Sequence, residues 1–117
     1  MRDAILASIR SRPFTTFQEL TIEIAGFHGN YGMFNETCDT MIMWHACSEE
    51  AIAALSGLLT DRFIRMMPAP NISYRATNDL PTVPLCRDEG AFEEDTQLIR
   101  WFPVVFTEVD KHDLHKI

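Results

Sequence analysis

The stretch from Thr40 to Thr77 constrains the fold more than any other part of the chain. Met41-Ile42-Met43-Trp44 is a short apolar run with strand character. Ser48 is a natural N-cap, because its hydroxyl can accept from a backbone N–H of the first helical turn. Glu49 and Glu50 then suit the positive end of the helix dipole. Ala51, Ile52, Leu55, Leu58 and Leu59 recur at helical spacing and predict one apolar stripe facing a core. Gly57 costs roughly 1 kcal/mol against alanine within that helix. The helix is expected to end near Asp61-Arg62. Phe63 to Met67 reads as extended, and Pro68-Ala69-Pro70-Asn71 as a turn, since proline fixes φ and removes donors. Ile72 to Thr77 alternates apolar and polar, the pattern of a half-buried strand. The two extended segments are expected to pair as an antiparallel hairpin.

Upstream, Asp3 to Ser11 predicts a first helix with Ile5, Leu6 and Ile9 on one face. Arg12-Pro13 interrupts it. Thr16 and Glu19 fit a capping box for a second helix carrying Phe17, Leu20 and Ile24. Gly26 suits a left-handed terminator. Residues 27–39, with glycines, asparagines and aromatics, read as a loop with buried anchors.

Helix, "LLTDRFI" and a segment ending in "YRAT" resemble the third helix and wing of a winged helix-turn-helix domain. Leu58 and Leu59 take the helix-closing positions, Ile64 starts the wing, and Tyr74 and Thr77 end it. The opening helix, proline turn and capped helix add to the likeness, which covers residues 3–77. The resemblance implies an α+β fold: a winged-helix-like domain with three helices, a wing hairpin and an extra C-terminal strand. Residues 27–47 depart from the pattern, since DNA reading needs a tight turn between the second and third helices.

At 117 residues the chain is expected to be one domain, with residues 3–77 as the body and 78–117 as an acidic connector, strand and tail. No apolar run is long enough to span a bilayer, and Met1 to Phe14 lacks a signal-like apolar core. A cytoplasmic protein with no membrane partner is the expectation. Cys38, Cys47 and Cys86 cannot all pair within the chain and read as free thiols. Gln97 to Phe106 reads as an edge strand or a segment across the body, because Pro103 removes a donor. Trp101, Phe102, Val105 and Phe106 must then pack on the domain or form a homodimer interface.

The net charge of −7 is uneven. Residues 1–77 hold eight acids and six bases, and residues 78–117 hold nine acids and four bases. An acidic surface suits a basic protein partner. The expected contact residues are Glu49 and Glu50 together with Asp88, Glu89, Glu93, Glu94 and Asp95, with the apolar tip Met66 to Pro70 beside them. The first functional expectation is a non-enzymatic protein-binding module whose partner is a nucleic-acid-handling protein. Small size and acidity are similar to those of phage-type anti-CRISPR inhibitors. The alternative is a DNA-binding regulator using Arg10, Arg12, Arg62, Arg65 and Arg75 on phosphates. Against it, the third helix opens with two glutamates where a reader presents Arg, Lys, Asn or Gln to base edges.

Enzymatic and metal chemistry find little foothold. The chain has no Gly-rich phosphate loop, nucleophile elbow or HExxH. His112 and His115 could share a helical face, but zinc needs about four converging ligands. Cys47 stands next to a helix start, where a dipole lowers a thiol pKa, yet no base partner accompanies it. No cofactor or metal is expected.

Overall fold

The computed structural model describes residues 1–70, 73–75, 79–86 and 98–109. Their order is α1 (Arg2–Arg10), β1 (Thr15–Thr16), α2 (Phe17–Glu23), β2 (His28–Phe34), β3 (Met41–Cys47), α3 (Glu49–Thr60), β4 (Ile64–Pro68), β5 (Arg100–Trp101) and β6 (Val104–Glu108). The architecture is α+β, with three helices and two small three-stranded sheets among the described residues. No described helix is long and apolar enough to cross a membrane.

Local chemistry sets the helix ends. Thr16 Oγ1 accepts from the Glu19 amide at 3.1 Å while Glu19 Oε1 accepts from the Thr16 amide at 3.0 Å, which completes the capping box of α2. Ser48 Oγ accepts from the Ala51 amide at 3.1 Å and opens α3. Gly26 takes φ +82°, just past the end of α2. At the other end of α3, the Phe63 amide donates to the Leu58 carbonyl and the Arg62 amide to that of Leu59. This is a Schellman closure, and it puts Arg62 at φ +62°, where glycine is the relaxed residue.

One sheet runs β1-β6-β4, antiparallel throughout, and the other β2-β3-β5, with β3 and β5 parallel. Between them lies an aromatic core. Phe17 stacks on Trp44 with ring centroids 5.7 Å apart and meets Phe106 edge-on at 5.0 Å. Tyr74 and Trp101 meet edge-on at 5.2 Å and both lie against Trp44. Each large buried side chain of this kind removes enough apolar surface from water to contribute about 1.5–3 kcal/mol.

The hairpin expected from Phe63–Met67 and Ile72–Thr77 does not form among the described residues, which leave out Ile72, Ala76 and Thr77. β4 pairs with β6, from Ile64↔Glu108 to Pro68↔Val104. Residues 73–75 form no strand. Side chains take their polar groups instead: Gln18 accepts from the Arg75 amide at 2.8 Å and donates to the Arg75 carbonyl at 2.9 Å. Tyr74 is an anchor; its hydroxyl donates to the Val104 carbonyl at 2.6 Å and accepts from the Phe17 amide at 3.1 Å. Pairing β4 with β6 brings Val104, Val105 and Phe106 into the core, all at most 2% exposed, which a short local hairpin does not do.

Two further expectations are corrected. The loop assigned to residues 27–39 contains β2, held by pairing with β3. The C-terminal strand is two strands, and β6 is the centre of its sheet rather than an edge; Pro103 falls between them, where no ladder donor is lost. Trp101, Phe102, Val105 and Phe106 are buried within the single chain, so the apolar surface that suggested a homodimer through this strand is already covered. The tip Met66 to Pro70 is likewise only partly open: Ala69 is buried and its amide donates to the Pro103 carbonyl.

Candidate functional site

α3 lies along the β2–β3 hairpin, and close packing fixes the two together. A Cβ on Gly29 would fall 2.5 Å from the Cys47 carbonyl oxygen and the Ser48 Cα, so only glycine lets β2 meet the start of α3. The Ser48 amide donates to the Phe27 carbonyl at 2.8 Å in the same place. Farther along, the hairpin and helix part to leave a groove of about 410 Å3. Met33, Phe34, Met43, Ile52, Leu59 and Met66 supply its apolar lining. Asn35, Thr37, Ser56 and Thr60 supply neutral polar groups, and Glu36 is its one charged lining residue among those described. Phe34 is 39% exposed at its edge.

Glu49 and Glu50 are both exposed at the start of α3. The helix carries no Lys or Arg between residues 49 and 60. Helical spacing sets Glu49, Ile52, Ser56 and Thr60 on one stripe, so the first glutamate continues the groove wall toward the helix N-terminus. Asp88, Glu89, Glu93, Glu94 and Asp95 lie outside the described residues.

The five arginines of the DNA alternative come from separate elements, and two of them are paired with carboxylates. Arg10 is paired with Glu108. Arg12 reaches Glu19 at 3.2 Å and Glu23 at 2.5 Å. The hydrogen bond to Glu23 raises the guanidinium pKa, and the bond from Arg12 lowers that of Glu23. These exposed pairs contribute little stability, yet they neutralise the cations a phosphate would need. Arg75 is exposed and lines a cleft of about 570 Å3 with Arg12, but Glu19, Glu23 and Asp79 line it too. Arg62 is exposed at the end of α3 and Arg65 is exposed on β4.

Cys47 is fully buried, and burial pushes its thiol up to about 12. Burial thus favours the protonated thiol of Cys47. Burial lowers the His45 pKa, which favours the neutral ring on β3. Among the described residues, no group of three or more His, Cys, Asp or Glu forms a metal site. His112 and His115 lie outside them.

Sequence reasoning missed the groove because its hairpin wall reads as loop. The partial signal was the set of methionines beside α3, two of which, Met43 and Met66, line it. Compared with protein-family models, with curated proteins and with solved structures, the chain matches none.

Proposed function

We propose that this protein is a non-enzymatic protein-binding module on a winged-helix-like scaffold. The path from α1 through β1, α2 and α3 to the β4–β6 pair supports the scaffold reading. In that frame β6 takes the role of the second wing strand, and β2–β3 is an insertion before α3. The observation that carries the function is the surface of α3: two exposed carboxylates at its start and no cation along it. A DNA-reading helix holds out the opposite charge to phosphates and base edges. The partner class is a basic, nucleic-acid-handling protein, in the manner of phage anti-CRISPR inhibitors. The DNA-binding alternative draws on the exposed Arg62, Arg65 and Arg75.

Titration of labelled mixed-sequence duplex DNA at low salt separates the two. The expected result is no binding below about 100 μM, the weak end of non-specific affinity. Strong, salt-sensitive binding lost in Arg62→Ala/Arg65→Ala would overturn the module reading in favour of the regulator.

A further inference from the structure

We infer that the groove between α3 and the β2–β3 hairpin is the seat of the partner, and that it takes an apolar side-chain cluster carried on a basic polypeptide segment. This rests on the protein-binding reading above and names its site.

Three properties of the groove converge. Its volume, about 410 Å3, falls in the range that holds a small cluster of side chains. Its walls mix apolar and neutral polar groups, and the apolar part is adaptable: Met33, Met43 and Met66 can repack around more than one shape. The charged part of its lining is acidic: Glu36 lines the groove, and Glu49 continues the α3 stripe toward the helix N-terminus. A segment with Leu-like residues flanked by Lys or Arg complements that lining. An acidic segment meets Glu36 with like charge, and a nucleic acid meets a lining with no cation among the described residues.

The probe is an 18-residue amphipathic peptide of leucine and lysine, with a leucine–glutamate peptide and a lysine–serine peptide as controls. Binding is read by anisotropy, and the site by amide shifts in 15N-labelled protein. The leucine–lysine peptide should bind at least tenfold more tightly than either control, with shifts concentrated at Phe34, Glu36, Ile52, Ser56 and Leu59. Ser56→Trp, which fills the groove from an exposed position, should weaken binding at least tenfold. If that variant loses its folded spectrum, Thr60→Arg serves the same purpose from another exposed lining position. Peptide binding that is indifferent to both variants, or shifts away from the groove, would overturn the site while leaving a protein-binding module standing. Failure of the peptide to bind at all also overturns the groove. Duplex DNA binding overturns the underlying reading, so the failures are distinguishable.

Discussion

Two of the antiparallel pairs, β4–β6 and β2–β3, are built to different standards. β4 and β6 match residue for residue across five positions without interruption. β2 and β3 lose register three times over a similar length. The regular pair is flanked on β6 by β1, and its inward residues Ile64, Val104 and Phe106 are buried. The irregular pair leaves β2 as an edge, with Tyr31 and Phe34 turned partly to water. Register breaks twist a strand and re-aim its side chains, which is why they gather near functional surfaces. The contrast fits the proposed division of support and contact, since the groove borders the irregular pair.

Core substitution should break the supporting side first. Phe17→Ala removes a ring stacked on Trp44 and edge-on to Phe106, and is expected to cost about 3–5 kcal/mol in a denaturant titration. Phe34→Ala, on the contact side, should cost under about 1 kcal/mol, as an exposed substitution does. Equal costs at the two positions would erase the distinction. A smaller effect is expected at Tyr74→Phe. It strips the Phe17 amide and the Val104 carbonyl of one shared partner, at about 1–3 kcal/mol. Hydrogen exchange should then quicken at Phe17 and along β6 and leave β2 unchanged. The smallest effect has the opposite sign: Arg62→Gly relieves the left-handed backbone at the end of α3. A gain of about 1 kcal/mol is expected, seen as a higher melting temperature.

What the sequence made legible is what neighbours in the chain decide. Thr16 with Glu19, Ser48 and the stripe along α3 each depend on contacts within a few residues, and all appear where expected; Gly26 is left-handed as expected, but α2 has already ended at Glu23 with Ile24 extended. β3 is equally plain, since four of its residues form a continuous apolar run. The strand partners were not legible. Ile72 to Thr77 has the right alternation to follow β4, yet β4 pairs with β6 from far along the chain. β2 was hidden by composition: His28-Gly29-Asn30-Tyr31-Gly32 has little strand propensity, and its pairing with β3 makes it a strand. Of the candidate site, the glutamates at the head of α3 could be read directly. The groove could not, because one wall is that unrecognised strand. The neutralising of Arg10 by Glu108 spans nearly the whole chain and leaves no local trace.

Because β6 is the middle member of its sheet and also its last in sequence, synthesis leaves β1 and β4 without their shared neighbour until residues 104–108 leave the ribosome. Closing so wide a loop is slow, and the waiting strands expose bare edges while it happens. A nascent chain stalled before Val104 should therefore be a client for chaperones, and one released a few residues past Glu108 should not.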